Sequence, residues 1–275
     1  MTVPEPLRAH AEPFFFERGP VGVLLIHGYN GSPGELRPLG EALVARNYSV
    51  CAPLLAGHGT TPDALFKVTW KDWVASALVG LAQLRRRCPT VILAGFSMGA
   101  LLAGVLAARI ASAGVLLMAP ALRLHGQPLV ELTDIAGRIQ PWYYPLARAD
   151  FSNPSVQAAV LGFVPDADFN DPDLIAAMRK NAKVPIGSIY ELVRLQHRAR
   201  RDLPHVTAPT LIMQGRLDRT VNPISAELTY RLLGAAEKRL IWFEHSDHQL
   251  PREAEKEQVW AAAGDWIDER VKSEE

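Results

Sequence analysis

Short apolar runs alternate with longer segments of helical periodicity along most of the chain, and no other feature constrains the fold as strongly. The runs are nearly continuous in Val, Ile and Leu, as in "VGVLLIH" (21–27) and "TVILAGF" (90–96). Such strands are buried on both faces, which is typical of a parallel sheet covered by helices on both sides. We therefore predict an α/β fold with a mostly parallel sheet. The predicted strands are residues 21–27, 49–54, 90–96, 114–120, 208–215 and 238–244, and the predicted helices are residues 34–47, 70–87, 98–111, 223–234 and 252–271.

The alternation stops after Pro120 and resumes near residue 205. Between these points the sequence contains no comparable strand, and it holds two helix-like stretches, at about 172–181 and 186–201. We predict that residues 1–120 and 205–275 form one α/β core, and that residues 121–204 form a helical cap insertion. In open sheets of this class, the functional site lies outside the carboxyl ends of the strands.

Charge and hydropathy exclude several classes of partner. Lys and Arg together number 29, as do Asp and Glu, so the formal net charge is zero and nothing suggests a nucleic-acid partner. The basic run "RLQHRARR" (194–201) is interpreted as a solvated helix face.

Residues 101–122 are long and apolar enough to cross a bilayer, but Arg109 lies in the middle of this stretch. We predict a buried helix followed by a buried strand there, and no integral membrane segment.

The cysteines and the N-terminus bear on the compartment. Cys51 and Cys88 are the two cysteines, and they provide neither a disulfide framework nor metal-ligand spacing. The opening "MTVPEPLRAH" lacks the apolar run of a signal peptide. We therefore expect a reduced, cytoplasmic protein with no metal ion and no cofactor, while its oligomeric state stays open.

The segment "AGFSMGA" (94–100) places Ser97 between two glycines, where a predicted strand gives way to a predicted helix. A sharp turn at this junction strains the serine backbone and needs small residues two positions away on either side. Gly95 and Gly99 meet that need. The turn would lift the hydroxyl above the sheet edge at a helix N-terminus, as expected of a nucleophile. The alternative is a glycine-rich bend that serves packing alone.

An acid and a base follow later in the chain, each in a loop after a predicted strand. "LIMQGRLDRTVNP" places Asp218 after one strand, and "FEHSDHQL" places His245 and His248 after the last strand. We favour His248 as the base because it lies deeper in the loop and could reach back over the sheet edge. The predicted chain order of the triad is then Ser97, Asp218, His248.

Two backbone N–H groups could stabilise an oxyanion. The first is that of Met98, directly after the proposed nucleophile, and the second is that of Tyr29 in "IHGYNGSPGE". His27 ends the strand that precedes this loop, and we expect it to organise the loop and to take no direct part in the chemistry.

These motifs together resemble the carboxylesterase and monoacylglycerol-lipase branch of the α/β-hydrolase superfamily. The resemblance covers roughly residues 14–120 and 205–272 and is weak in the insertion. It implies an α/β-hydrolase fold, a Ser-His-Asp triad, and an oxyanion donor in the turn that contains Tyr29. Asp247 stands where the family often has glycine, so the geometry of that loop is in question and His245 stays open as a competing base.

The insertion contains aromatic residues that could pack the cap or line a pocket for an apolar acyl group; they are Trp142, Tyr143, Tyr144, Phe151, Phe163 and Phe169. We predict a serine hydrolase that cleaves small-molecule carboxylic esters through an acyl-enzyme. The same triad would serve a lysophospholipase, a thioesterase, an acyltransferase or a carbon–carbon bond hydrolase. A non-catalytic, hydrolase-like binding protein is a more distant alternative.

Overall fold

A seven-stranded sheet forms the centre of the protein in a computed structural model that describes residues 11–161 and 167–272. The first ten residues, on which the expectation about a signal peptide rests, lie outside the described part. The strands of this sheet are β1 Phe14–Phe16, β2 Val21–Ile26, β3 Ser49–Ala52, β4 Thr90–Phe96, β5 Gly114–Met118, β8 Thr210–Gly215 and β9 Lys238–Phe243. A separate ladder is formed by β6 Trp142–Tyr143 and β7 Val184–Pro185.

The order of the strands is β1-β3-β2-β4-β5-β8-β9, and all pairs are parallel except β1 with β3. The predicted mostly parallel sheet is therefore confirmed. Its central strands end at the same edge, so the loops after β2, β4, β8 and β9 lie side by side.

Alternating side chains of each central strand enter two separate hydrophobic clusters, one on each face of the sheet. In β2, Leu24 and Ile26 belong to one cluster, while Val23 and Leu25 belong to the other, and all four are fully buried. This two-residue period explains why the strands read as continuous apolar runs, since neither face meets water.

Helices cover both faces, as predicted. They are α1 Arg37–Ala45, α2 Trp70–Arg85, α3 Met98–Ala107, α4 Gln127–Glu131, α5 Thr133–Ile139, α6 Pro154–Leu161, α7 Pro172–Asn181, α8 Ile186–Asp202, α9 Ile224–Leu232 and α10 Lys256–Lys272. Helix α2 begins with a capping box, in which the side chains of Thr69 and Asp72 each accept a bond from the other residue's backbone N–H. Short 3₁₀ turns at Pro33–Leu36, Pro62–Leu65 and Leu203–His205 complete the described helical elements.

Apart from shifts of a few residues at several element ends, two features of the core differ from the sequence prediction. Strand β1 was not predicted, because its three residues are too few to show a period; it pairs antiparallel with β3 at the edge of the sheet. The last helix begins at Lys256 and not at residue 252, because Glu253 and Glu255 use their side chains to bind the preceding loop.

The residues between β5 and β8, here called the intervening segment (121–204), are richer in structure than predicted. Helices α7 and α8 lie where the two helix-like stretches were expected, but α4, α5, α6 and the β6–β7 ladder were not predicted. Helix α8 packs on α3, with Leu192, Leu195 and Ala199 in the cluster on that face of the sheet. The division into a core and a cap stays a prediction.

The apolar stretch 101–122 contributes to helix α3 and strand β5, as expected. In the described part of the chain, no helix combines the length and the apolar character that a membrane span requires.

Candidate active site

Ser97 occupies a strained turn between β4 and α3. Its backbone φ is 56° and its ψ is −114°, a left-handed conformation that a residue with a side chain rarely adopts. The turn is held by a hydrogen bond from Ser97 N–H to Met118 O (2.8 Å) on the adjacent strand β5. This strain fixes the hydroxyl at the carboxyl end of the sheet and at the start of a helix.

Gly95 and Gly99 flank this turn with no room for a side chain. A Cβ atom at Gly95 would collide with the backbone of Gly99, and one at Gly99 would collide with the carbonyl groups of Ile26 and His27. Backbone atoms cannot rotate away as side chains do, so the close packing of β4, α3 and β2 requires glycine at both positions.

We expect Gly99→Ala to destabilise the fold by at least about 1–3 kcal/mol, the usual cost of overpacking. A thermal unfolding scan should show a lower Tm for this variant. Gly187→Ala is the matched control, because a Cβ there meets no described atom within 4 Å. Equal Tm values for the two variants would contradict the packing argument.

The structure brings Ser97, His248 and Asp218 into one hydrogen-bonded chain. Ser97 Oγ lies 3.0 Å from His248 Nε2, and His248 Nδ1 lies 2.9 Å from Asp218 Oδ2. The Ser97 residue is 7% exposed and Asp218 is 3% exposed. His245, the competing histidine, is exposed, and its backbone N–H binds Glu255. Of the two histidines, His248 is the one placed against Ser97.

The buried Asp218 carboxylate is held by several donors besides the imidazole. Oδ1 accepts from the N–H groups of Thr220 (2.9 Å) and Val221 (2.7 Å), and Oδ2 accepts from Gln214 Nε2 (2.8 Å). These bonds offset the cost of burying the charge and fix both oxygens. Gln214 was not predicted as a site residue, although its position at the end of β8 in "LIMQG" was the available signal.

The loop that carries His248 is held by acidic side chains. Asp247 Oδ1 accepts from His248 N–H (2.7 Å) and from Arg219 N–H (2.9 Å), while Glu253 accepts from the N–H groups of Asp247 (2.5 Å) and Gln249 (2.9 Å). An aspartate at 247 therefore fits this loop and ties it to the loop of Asp218. These roles of Glu253 and Glu255 were not predicted, because the sequence there is typical of the first turn of a helix.

The loop after β2 passes close to Ser97. A Cβ placed on Gly28 would lie 3.3 Å from the Ser97 Cβ. The Gly28 carbonyl accepts from Gly31 N–H (3.2 Å), and it lies 2.9 Å from His27 Nδ1. Within the described residues, the N–H groups of Tyr29 and Met98 have no hydrogen-bond acceptor. The oxyanion role of these two donors stays a prediction.

His27 holds this loop as a neutral imidazole. Its Nε2 lies 3.1 Å from Leu55 N–H, which can only donate, so the proton is on Nδ1 and is donated to Gly28 O. Burial, with His58 nearby, lowers the pKa of His27 to about 3, which keeps the ring uncharged. The side chain lies within the loop, in agreement with the organising role that we expected.

The intervening segment reaches the site at Tyr29. Tyr29 Oη lies 2.5 Å from Ser188 Oγ, and Ser188 Oγ donates to Pro185 O at 2.7 Å, so Tyr29 is the donor in the first bond. His125 also lies against the acid loop, with Nε2 3.1 Å from Asp218 O. The segment therefore contacts both the loop of Tyr29 and the loop of Asp218.

The aromatic residues of the segment differ in their surroundings. Trp142 packs on Phe66 with ring centroids 5.3 Å apart, and Phe151 packs on Phe169 at 6.4 Å. Tyr143 is exposed. Phe163 lies outside the described residues, and the lining of an acyl pocket by aromatic residues stays a prediction.

Comparisons with known proteins agree with this geometry. The sequence profile of the family described as "Serine aminopeptidase, S33" matches residues 21–255. A thermostable monoacylglycerol lipase of a Bacillus species is 31% identical over 249 residues, covering 90% of this chain and 90% of that protein. A carboxylesterase of Bacillus subtilis is 24% identical over 249 residues, covering 90% of this chain and 92% of that protein.

A solved structure supports the same assignment. It comes from work on LipS and LipT, two metagenome-derived lipolytic enzymes. The match has a TM-score of 0.79 and 27% identity, and it covers 98% of this chain and 100% of that one. The resemblance found in the sequence motifs is thus confirmed. The chain belongs to the serine aminopeptidase S33 family of the α/β-hydrolase superfamily, and it is a hydrolase of the esterase and monoacylglycerol-lipase kind.

Proposed function

We propose that the protein hydrolyses small carboxylic esters with an apolar acyl group, through a Ser97-His248-Asp218 triad and an acyl-enzyme. The observation that carries this proposal is the chain of contacts from Ser97 Oγ through His248 to Asp218, at 3.0 and 2.9 Å. The lengths and the order of these contacts match what nucleophilic catalysis by serine requires.

The first half of the proposed reaction forms the acyl-enzyme. Ser97 Oγ attacks the ester carbonyl carbon while His248 Nε2 accepts the hydroxyl proton. Asp218 holds the imidazole by its Nδ1–H and stabilises the cationic form. The N–H groups of Met98 and Tyr29 bind the oxyanion of the tetrahedral intermediate.

The second half returns the enzyme to its starting state. His248 gives its proton to the leaving alcohol oxygen, the ester bond breaks, and the acyl group stays on Ser97. Water then takes the place of the alcohol, loses a proton to His248, and attacks the acyl carbon. The acid leaves and Ser97 regains its proton. No cofactor enters any step.

The substrate class follows from the relatives and from the intervening segment. The named relatives are a monoacylglycerol lipase and a carboxylesterase, so we propose esters of these kinds for this chain. Residues 121–204 would act as the cap over Ser97, and we propose a cytoplasmic location from the cysteine usage.

A panel of p-nitrophenyl esters of graded chain length tests the substrate class. We expect kcat/KM to rise from acetyl toward longer chains, because each buried methylene contributes about 0.8 kcal/mol, or roughly fourfold. The rise should stop where the pocket is filled. A flat profile would contradict an apolar acyl pocket, and an added alcohol consumed in preference to water would indicate an acyltransferase.

Labelling with a fluorophosphonate probe separates an enzyme from a binding protein. We expect the wild-type serine to be labelled and Ser97→Ala to remain unlabelled. Absence of both labelling and turnover in the wild type would favour the non-catalytic alternative.

A further inference from the structure

Glu35 is a buried carboxyl group that the proposed mechanism does not use. It lies in the 3₁₀ turn Pro33–Leu36 directly after the loop of Tyr29, and it is 6% exposed. Its Oε1 accepts a hydrogen bond of 2.5 Å from Gly28 N–H. The carboxyl group thus folds back under the loop that precedes it in the sequence.

The loop is shaped around this carboxyl group. A Cβ atom on Gly31 would collide with both carboxyl oxygens of Glu35, so the absence of a side chain at 31 leaves the space that the carboxyl group fills. A hydrogen bond from Gly31 N–H to Gly28 O closes the loop. Removal of the carboxyl group would leave Gly28 N–H without its acceptor inside the protein.

Gly28 controls where the Tyr29 N–H points. The C=O of Gly28 and the N–H of Tyr29 belong to one planar peptide group, so they turn together. Glu35 fixes this residue at its N–H, while His27 and Gly31 fix it at its C=O. Glu35 therefore anchors the peptide before Gly28, from which the backbone dihedral angles of Gly28 set the direction of the Tyr29 N–H.

We propose that Glu35 is a positioning residue for ester hydrolysis, whose carboxyl group anchors the N–H of Gly28 and thereby helps to orient the following peptide, with the Tyr29 N–H toward the substrate oxyanion. This inference rests on the proposed function, because it assigns a purpose to the Tyr29 N–H. It goes beyond the triad because Glu35 touches neither Ser97 nor the proton that His248 carries.

The charge on Glu35 gives activity a pH dependence that would be absent if the side chain only filled space. Burial raises the pKa of Glu35 to about 7, although the Gly28 bond, Arg252 and His248 each lower it. Arg252 and His248 are the charged or titratable groups that act on it from the loop after β9, and the nearby His27 stays neutral. The charge on Glu35 therefore changes near pH 7, within electrostatic reach of His248.

Two substitutions separate the hydrogen bond from the charge. Glu35→Gln keeps an acceptor for Gly28 N–H but carries no charge. We expect its kcat near neutral pH to stay within about threefold of wild type, and the pH profile of kcat/KM to change around pH 7, because the carboxyl group that titrates there is gone. Glu41→Gln, at an exposed acid on α1, is the matched control and should leave the profile unchanged.

Glu35→Met removes the acceptor while it keeps the length of the side chain. We expect kcat to fall about 10- to 100-fold with KM little changed, somewhat less than the loss of a whole oxyanion donor. Affinity for butylboronic acid, which forms a tetrahedral adduct on the serine, should fall by a similar factor. The rate of fluorophosphonate labelling should fall as well.

The possible results test the role of Glu35 separately from the proposed ester hydrolysis. A Glu35→Met variant with wild-type kcat, labelling rate and boronic acid affinity would overturn it. If that variant does not fold, Glu35→Leu, which is shorter and also lacks the acceptor, takes its place, and wild-type values for all three measurements overturn the inference. A wild type that labels but turns over no ester would refute the ester substrate, while the labelling rates of the Glu35 variants would still test the positioning role.

Discussion

Replacement of Ser97 by alanine is expected to lower kcat on p-nitrophenyl butyrate by about 10⁴- to 10⁶-fold, the range found when a catalytic serine is removed from a triad. The alanine cannot form an acyl-enzyme, and His248 is left without the hydroxyl that lies 3.0 Å from its Nε2. The remaining rate would reflect oxyanion binding and substrate orientation.

The measurement is steady-state release of p-nitrophenol by purified protein, with Tm recorded alongside. Ser152→Ala, in an exposed turn of the intervening segment, is the matched control and should keep wild-type turnover. A Ser97→Ala protein that folds normally and keeps activity within tenfold of wild type would refute the nucleophile assignment.

Replacement of the two neighbouring histidines should have opposite consequences. We expect His248→Ala to lower kcat/KM by about 10²- to 10⁴-fold, the usual contribution of a general base. His245→Ala should stay within about threefold of wild type, as surface substitutions usually do, because its side chain is exposed and Ser97 and Asp218 pair with His248. Both variants are to be assayed on the same ester from about pH 5 to 8, the range in which histidine ordinarily changes charge.

These two histidines serve as controls for each other, since they lie in one loop and are replaced by the same residue. A crippled His245→Ala enzyme beside an active His248→Ala enzyme would move the base to His245. Similar losses in both would show that the loop itself, held by Glu253 and Glu255, had been disturbed.

The sequence predicted those parts of the site that depend on local pattern and chain order. The two glycines around Ser97 are recognisable because the turn excludes side chains there, and Asp218 and His248 follow strands that end at the same edge of the sheet. The central strands were predictable for a related reason, since both of their faces are buried and their apolar runs are continuous.

The supporting residues were not predictable, because their roles arise from contacts that close only in three dimensions. Glu35 reads as an ordinary acid in a loop, and its burial depends on Gly28 and Gly31 folding around it. Gln214 is one polar residue at the end of an apolar strand, and nothing local shows that its amide faces Asp218. The short helices α4, α5 and α6 are too brief to show a helical period.

The hydrogen bonds from Tyr29 through Ser188 to Pro185 affect the design of chimeras in which the intervening segment is taken from a related hydrolase. The hydroxyl group of Tyr29, in the loop after β2, donates to Ser188 of helix α8, which lies more than 150 positions later in the chain. A segment transplanted from another hydrolase would have to bring its own hydroxyl to this point, or be accompanied by Tyr29→Phe. Chimeras built without this match would leave the Tyr29 hydroxyl without its acceptor, at a cost of about 1–3 kcal/mol.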